Sequence, residues 1–216
     1  ALSMLPHIDF FPDVLHAHDW QGALGVIYLR AFFSQNEAYR GIRSVFTIHN
    51  IEYQGKYSFS ILGDVFDLGP EHYALMRYDD CINLMKAAIV CADKVSTVSS
   101  KYAQEIRTSE YGHGLEAILN ENAYKLCGIL NGIDREYYHP AKDCELVKNF
   151  SYMRAGGKKE CKKFLQEYLN LPVKEDVPMV MMITRLVSHK GLDIVKESLY
   201  SLLDENLQFV LLGTGD

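Results

Sequence analysis

A short turn between two apolar segments carries a pair of cations. Arg185 and Lys190 follow the apolar run Met179–Thr184 and precede a helix predicted over Leu192–Leu203. In open α/β sheets, ligands gather at the carboxyl ends of strands, and a helix N-terminus presents unpaired N–H groups to anions. Gly191 would let the backbone approach such an anion closely. The combination suits a diphosphate, and the alternative is a solvated surface loop.

A second group of polar residues follows the short apolar strand near the start of the chain. Val14–Trp20 has the sequence V-L-H-A-H-D-W. Strand alternation places His16 and His18 on one face, with Asp19 at the carboxyl edge. This spacing could form a metal site, but no second cluster with ligand spacing supports it. We therefore expect buried histidines satisfied by their neighbours, Asp19 at the lip of a cleft, and no metal.

Three further segments place polar or flexible residues after apolar runs. His49 lies in F-T-I-H-N-I-E-Y-Q-G, again at the carboxyl end of a strand. A single histidine there is usually structural, but several such edges sharing one cleft favour a binding role. Asn131-Gly132 is a turn signal, and because no alternating strand follows, an interdomain corner is favoured over a hairpin. Gly213 and Gly215 form a G-x-G pattern that is weak taken alone.

Repetition of strand, loop and helix predicts a parallel sheet with crossover helices. The predicted strands are Asp13–Ala17, Arg43–Ile48, Lys94–Val98, Cys127–Leu130, Met179–Thr184 and Leu207–Leu212. The predicted helices are Gln21–Phe33, Tyr78–Cys91, one capped by Ser99 or Ser100 and ending at Arg107, one from the Lys158–Lys163 run to Leu169, and Leu192–Leu203. Met179–Thr184 is continuously apolar, which predicts a strand buried on both faces.

Composition excludes several classes of protein. Apolar residues make up 48% and charged residues 23% of the 216, which is typical of a globular domain. The net charge of −6 argues against nucleic-acid binding. With no long apolar run and no signal peptide, we expect no membrane association and a cytoplasmic protein. Five cysteines without a C-x-x-C pair indicate reduced thiols and no zinc site.

Both ends of the chain suggest a fragment. It opens A-L-S-M and stops inside a glycine turn directly after a predicted strand. The composition also changes beyond Pro140, which predicts a domain boundary there. We expect residues 1–140 to belong to one domain and residues 141–216 to be the truncated beginning of another.

Seven segments together resemble the bacterial and plant glycogen or starch synthases, retaining glucosyltransferases of the GT-B fold that use ADP-glucose. They are P-D-V-L-H-A-H-D-W, S-V-F-T-I-H-N-I-E-Y-Q-G, A-D-K-V-S-T-V-S, Y-G-H-G-L, L-N-G-I-D, T-R-L-V-S-H-K-G-L-D and L-L-G-T-G-D. The likeness runs through nearly the whole chain. The H-A-H-D-W and H-N-x-x-Y-Q-G pieces are the most specific to the synthases.

The resemblance implies an α/β, GT-B-like fold. Residues 1–140 would be the C-terminal part of a Rossmann-like, acceptor-side domain, and residues 141–216 the start of the Rossmann-like domain that binds the nucleotide sugar. Arg185 and Lys190 would hold the distal phosphate of the donor and stabilise the departing ADP. His49 would lie beside the glucosyl unit.

The resemblance assigns substrate contacts to four more residues. Asp19 would line the acceptor side of the cleft, and Asn131 would touch the donor sugar or the pocket wall. Gly213 and Gly215 would pass close to the nucleotide. No metal and no cofactor are required if the two cations stabilise the leaving group.

The implied partners are ADP-glucose as donor and an α-1,4-glucan as acceptor, in the bacterial cytoplasm or, for a plant protein, in the plastid. UDP-glucose remains an alternative donor. The family's K-x-G-G-L loop and its later glycine-rich loop are absent from this sequence, so we expect the 216 residues alone to be inactive. The alternatives are another GT-B transferase, sucrose synthase-like or with a small acceptor, or a fragment that only binds glucan or nucleotide.

Overall fold

A computed structural model describes residues 1–215, with Ser188 described through its backbone alone. Asp216, which ends the L-L-G-T-G-D segment and the predicted second domain, lies outside the described residues. The chain forms two compact units that divide between Gly132 and Ile133. The domain boundary near Pro140 stays a prediction of the sequence.

Nine strands lie in the described residues. They are β1 (Val14–His18), β2 (Arg43–Ile48), β3 (Lys56–Tyr57), β4 (Arg77–Tyr78), β5 (Cys81–Asn83), β6 (Lys94–Thr97), β7 (Leu126–Gly128), β8 (Met179–Ile183) and β9 (Gln208–Leu212). The predicted strand at Arg43–Ile48 has the same bounds in the structure, and five others differ by at most two residues at either end.

The α-helices are α1 (Asp19–Tyr28), α2 (Tyr73–Met76), α3 (Leu84–Cys91), α4 (Ser100–Glu105), α5 (Glu116–Glu121), α6 (Gly157–Tyr168) and α7 (Leu192–Asp204). A π-helical turn, Leu29–Phe33, extends α1. Shorter 3-10 helices occupy Leu2–Ile8, Glu37–Tyr39, Phe59–Ile61, Pro70–His72, Ala123–Lys125 and Ser188–Lys190. Within residues 1–215, no helix is both long and apolar enough to cross a bilayer.

The first unit is built on a parallel sheet in the order β1-β2-β6-β7, which confirms the predicted parallel α/β architecture. Ala17 pairs with Phe46, and Phe46 pairs with Val95, so these apolar residues share one face. All three are buried together with the apolar sides of α1 and α3. This packing holds the sheet rigidly and aligns the carboxyl ends of its strands along one edge.

The opposite face of the sheet carries a polar row. His18 pairs with Thr47, and Thr47 pairs with Ser96, so the three side chains project on the same side. The Thr47 and Ser96 hydroxyl oxygens lie 2.6 Å apart and are buried. Because each buried hydroxyl has a hydrogen-bond partner, this row avoids the cost of unsatisfied polar groups.

The prediction of a helix over Tyr78–Cys91 is wrong for the first half of that range. Arg77–Tyr78 and Cys81–Asn83 form an antiparallel hairpin that joins β3 in a second sheet. Asp79 turns the chain with a φ of 52°, a left-handed conformation that Asp tolerates better than most residues. The Asn83 side chain then accepts a hydrogen bond from the Lys86 backbone N–H and caps α3 at 2.9 Å.

The second unit contains β8 and β9, paired in parallel from Met179↔Gln208 to Ile183↔Leu212, together with α6 and α7. The prediction that β8 is buried on both faces is wrong, since Ile183 is 67% exposed. The described sheet of this unit has only two strands, so its apolar residues have few neighbours to cover them. Gln166 of α6 is buried and donates to the Gln208 side chain at 2.7 Å.

Candidate functional site

Asp19 and His49 meet at the carboxyl edge of the sheet. β1 ends at His18 and β2 ends at Ile48, and because these strands are parallel neighbours, the residues that follow them lie together. The Asp19 Oδ1 atom accepts hydrogen bonds from the backbone N–H groups of His49 at 2.7 Å and Asn50 at 3.4 Å. The Asp19 carboxylate therefore fixes the backbone of the His49 loop.

Asp19 makes these bonds from a conformation that few side chains adopt. Its φ is 49°, in the left-handed region, at the junction of β1 with α1. Strained backbone of this kind persists where the surroundings over-determine it, and it is concentrated at functional sites. The short polar side chain of Asp tolerates this region, and its two backbone hydrogen bonds help to offset the strain.

Three histidines are in contact along this edge. The His16 and His18 rings have centroids 4.2 Å apart, which confirms the prediction that they share a strand face. His18 Nδ1 lies 3.0 Å from His49 Nε2, so one of these two nitrogens carries a proton and donates a hydrogen bond to the other. His16 Nε2 lies 2.7 Å from the Thr47 hydroxyl and is thereby joined to the polar row. The expectation that neighbours satisfy these histidines is confirmed.

The expected burial of the two β1 histidines is wrong. Both His16 and His18 are exposed, because they face away from α1 and α3 and lie on β1, which is at the end of the strand order β1-β2-β6-β7. Desolvation, together with the nearby rings of His18 and His49, nevertheless lowers the pKa of His16 below its ordinary value. His16 is accordingly biased toward the neutral form, in which one ring nitrogen can accept a hydrogen bond.

Tyr102 is a second anchor for the His49 loop, and sequence analysis assigned it no role. Its hydroxyl accepts a hydrogen bond from the Ile51 backbone N–H at 3.2 Å. Tyr102 is placed by the start of α4, where its own backbone N–H donates to the Ser99 hydroxyl at 2.9 Å. Ser99 rather than Ser100 is thus the helix cap. Asp19 and Tyr102 hold the loop from two sides.

The H-A-H-D-W and Y-Q-G segments pack directly against each other. Gly55 has a φ of 64°, and a Cβ at this position would lie 3.0 Å from Trp20 Cβ and 3.2 Å from Leu84 Cβ. Trp20 also makes an edge contact with Tyr57, with ring centroids 6.1 Å apart. Only glycine meets both the dihedral and the space requirement.

Gln54 connects three segments of the first unit. It is buried, and its side-chain amide donates to the His113 carbonyl at 3.0 Å and accepts from the Asn83 amide at 2.7 Å. The Y-Q-G, Y-G-H-G and helix-cap segments are therefore joined by one side chain. The resemblance of the Y-Q-G and Y-G-H-G segments to the synthases was the available signal, but only the tertiary contacts show that Gln54 links them to each other and to Asn83.

Asn131 lies at the same edge of the sheet but apart from His49. It follows β7, which β6 separates from β2, and it is exposed. The connection is held by the Ile129 backbone N–H, which donates to the Thr97 carbonyl at 2.8 Å. The structure thus brings Asp19 and His49 together and places Asn131 farther along the edge, so its contact with the donor sugar remains a prediction.

In the second unit, the segment after β8 leaves two cations exposed. Arg185 and Lys190 are on the surface, and neither side chain has an ion-pair partner among residues 1–215. A 3-10 turn, Ser188–Lys190, leads into α7, and Gly191 adopts a φ of 71° at its N-cap. Arg185 also lines an open cavity of about 360 Å³ at the carboxyl ends of β8 and β9. The arrangement provides positive charge where an anion can reach it.

Gly213 and Gly215 are required by the backbone of the same turn. A Cβ at Gly213 would lie 2.0 Å from the Thr184 carbonyl oxygen, and one at Gly215 would lie 2.2 Å from the Leu186 carbonyl oxygen. The Leu186 N–H donates to the Thr214 carbonyl at 2.8 Å. The G-T-G segment therefore packs on the backbone that presents Arg185, and its contact with a nucleotide stays a prediction.

No group of three or more His, Cys, Asp or Glu side chains that could hold a metal ion was found among the described residues. All five cysteines are free. The polar groups at the two sheet edges are a carboxylate, imidazoles, a guanidinium and an ammonium. The carboxylate and imidazoles of the first unit can hydrogen-bond a sugar, and the two cations of the second unit can neutralise a phosphate.

The chain is similar to several known proteins along its whole length. It is 46% identical to the glycogen synthase of Streptococcus gordonii and 45% identical to that of Streptococcus mutans, and each match covers 100% of the chain and 46% of the relative. It thus spans about half the length of these relatives. The catalytic domain of starch synthase IV from Arabidopsis thaliana, bound to ADP and acarbose, has a TM-score of 0.87 and 38% identity over 99% of the chain and 44% of that structure.

The structural likeness confirms the predicted α/β, GT-B-like fold class. The model of the starch synthase catalytic domain family matches residues 1–121, more than half of the chain. This range includes the Asp19–His49 edge, the three histidines and the Gln54 links. The chain therefore belongs to the starch synthase catalytic-domain family.

Proposed function

We propose that the protein to which this chain belongs transfers glucose from ADP-glucose to the non-reducing end of an α-1,4-glucan with retention of configuration. The observation that carries the proposal is the Asp19–His49 arrangement in a chain of the starch synthase family. ADP in the Arabidopsis structure supports the choice of nucleotide, and acarbose in the same structure supports a glucan-like acceptor.

Negative charge develops on the phosphates during the reaction, and positive charge develops on the sugar. The two units carry residues that suit these two groups. The bond between the anomeric carbon and the phosphate oxygen breaks, and its electron pair leaves with ADP. Arg185 and Lys190 would neutralise the charge that develops on the phosphates. Each well-placed contact of this kind is worth about 3 kcal/mol in the transition state.

The acceptor hydroxyl oxygen forms the new bond to the anomeric carbon, and its proton passes to the departing phosphate oxygen. The sugar carries partial positive charge in this transition state, which nearby carbonyl dipoles and carboxylates stabilise. His49 would lie beside the glucosyl unit on a backbone that Asp19 and Tyr102 hold in place. Asn131, Gly213 and Gly215 would complete contacts to the sugar and nucleotide.

Steady-state kinetics on the full natural protein test the phosphate assignment. Arg185→Ala and Lys190→Ala should each lower kcat by about 10²-fold or more, since each removes one preorganised charge contact. Arg154→Ala and Lys196→Ala are matched controls, because both residues are exposed and have no ion-pair partner among the described residues. Near-normal turnover in both site variants would exclude this role for the turn.

The identities of the donor and the acceptor are tested by comparing initial rates with different substrates. Initial rates with ADP-glucose and UDP-glucose, each with glycogen and with small sugars, should be highest for ADP-glucose with glycogen. A preference for a small acceptor would instead favour another GT-B transferase.

The free cysteines accord with the cytoplasmic location that we infer for the protein.

A further inference from the structure

A second polar pocket lies in the first unit at the amino ends of the strands, opposite the Asp19–His49 edge. It is lined by Arg43 and Ser44 at the start of β2, by Asp93 just before β6, and by Arg30 and Arg40 from the connection between α1 and β2. Its cavity volume is about 180 Å³. The pocket uses no residue of the proposed transferase site.

The pocket carries excess positive charge in an acidic protein. Three guanidinium groups and one carboxylate line it, while the chain as a whole has a net charge of −6. The carboxylate is already engaged. Asp93 accepts hydrogen bonds from the Ser44 N–H at 2.7 Å, the Ser44 hydroxyl at 2.9 Å and the Arg43 Nη1 at 3.3 Å.

The remaining two guanidinium groups have no carboxylate partner in the part of the chain that the structure describes. Neither Arg30 nor Arg40 forms an ion pair or a side-chain hydrogen bond there. Like charges gathered in one cavity repel each other, and the repulsion is relieved when an anion binds between them. Arginine is well suited to this task because its planar fork matches phosphate oxygens.

Local backbone geometry brings Arg30 into the pocket. Leu29–Phe33 is π-helical, and π-helical turns are frequent at functional sites. The Ser34 hydroxyl donates to the Arg30 carbonyl at 2.8 Å and closes this turn. The rest of the wall consists of Val26, Leu29, Ser34, Tyr39, Ile42 and Cys91.

We propose that this pocket binds a small phosphate monoester, with the phosphate between Arg30 and Arg40 and the organic part against the remaining wall residues. A dianion matches the net charge of the pocket, three guanidinium groups against one carboxylate. The mixed wall of apolar, hydroxyl and thiol side chains can contact the organic part of an ester, which inorganic phosphate lacks. Since the pocket lies away from the reacting edge, its occupant is not a substrate of the proposed transfer.

Calorimetric titration of the full natural protein with glycerol 3-phosphate and with inorganic phosphate tests the proposal. All titrations use an Arg185→Gln/Lys190→Gln background, so that the proposed donor-phosphate turn does not contribute. We expect one saturable site that binds glycerol 3-phosphate more tightly than phosphate. Arg30→Gln/Arg40→Gln should weaken it by at least about tenfold, a loss of about 1.4 kcal/mol.

Two further variants distinguish a loss of binding caused by changing the arginine side chains from a loss caused by misfolding. Arg154→Gln removes one positive charge elsewhere on the surface and should leave the affinity unchanged. Arg30→Lys/Arg40→Lys keeps both charges but removes the planar forks, and we expect intermediate affinity with unchanged thermal unfolding. The proposal is overturned if no saturable site exists at millimolar probe, or if Arg30→Gln/Arg40→Gln binds as tightly as Arg154→Gln. Because the background lacks Arg185 and Lys190, failure of the transferase assignment would not produce either result.

Discussion

The Asp19 carboxylate accepts a hydrogen bond from the His49 backbone N–H at 2.7 Å, across the carboxyl ends of two adjacent parallel strands. Thirty residues of sequence separate the two, and the bond fixes the loop that carries the imidazole. The resemblance to the synthases implies that Asp19 lines the acceptor side of the cleft. The structure adds a positioning role that can be separated from it experimentally.

We expect Asp19→Ala to lower kcat by about 10- to 100-fold, because a hydrogen bond to a charged group is worth about 1.5–3 kcal/mol. Asp19→Asn should fall between this variant and the unmodified protein, since Asn keeps an acceptor oxygen and tolerates a positive φ. Steady-state kinetics with separate variation of donor and glucan provide the measurement. If Asp19→Ala raised only the KM for glucan, Asp19 would be an acceptor contact and not a positioning residue.

The histidine contacts predict a pH-dependent stability. Desolvation and the neighbouring His18 and His49 rings lower the pKa of His16 in the folded protein. The unfolded chain, with an ordinary histidine pKa of about 6.5, therefore binds the proton more readily. The stability associated with neutral His16 is present above that value and is lost as the pH falls from it toward the folded pKa. Chemical denaturation at a series of pH values between about 8 and about 5 measures this loss of stability.

The same contacts predict the effect of removing one ring. His18→Gln eliminates a charge that lowers the pKa of His16, so that pKa should rise toward its ordinary value. The rise will be partial, because desolvation is the larger cause and stays in place. An NMR titration of the imidazole Cε1–H signals measures the pKa of His16 directly. A pKa of His16 that stays the same or falls in His18→Gln would contradict the assigned cause.

Gly55→Ala should destabilise the protein by about 1–3 kcal/mol. The added methyl group would meet Trp20 and Leu84 at 3.0–3.2 Å, on a backbone with a φ of 64°. Gly63→Ala is the matched control, because a Cβ at Gly63 meets nothing within 4 Å and its φ is outside the left-handed range. Urea unfolding of the two variants provides the comparison. Equal stabilities would mean that the Trp20 contact is easily displaced.

Gly213→Ala should impair the use of the donor substrate more than it lowers the stability of the protein. The new Cβ would lie 2.0 Å from the Thr184 carbonyl oxygen, so the backbone that leads to Arg185 must shift. We expect the KM for the donor to rise by about tenfold or more, since small misplacements of positioning groups are costly. Gly156→Ala, where a Cβ meets nothing within 4 Å, should keep the normal KM. A normal donor KM in Gly213→Ala would argue against this coupling.

Local sequence predicted the parallel strands well, because their signal is a short apolar run that needs no information from distant residues. Arg43–Ile48 has the same bounds in sequence and structure, and Ser99 was one of two predicted caps for α4. The hairpin at Arg77–Asn83 was missed because its residues are as compatible with a helix locally. Pairing of β5 with β3 decides the outcome, and that contact lies outside any short window.

Burial was the property that local patterns predicted least well. Met179–Ile183 is apolar throughout yet largely exposed, and His16 lies on an open face instead of in a core. An apolar side chain favours burial, but the residues that would cover it belong to other helices and strands. Whether they are supplied depends on the tertiary structure.

By itself, the sequence determined the α/β class, the order of most elements, the family likeness and the residue types of the candidate site. Those properties follow from short-range periodicity and from motifs that are contiguous in the chain. Tertiary structure alone decided that Asp19 holds the His49 backbone, that Gln54 joins three segments, and that Gly213 packs on Thr184. Each of these is a contact between residues distant in sequence, and such contacts exist only once the sheet has aligned the ends of its strands.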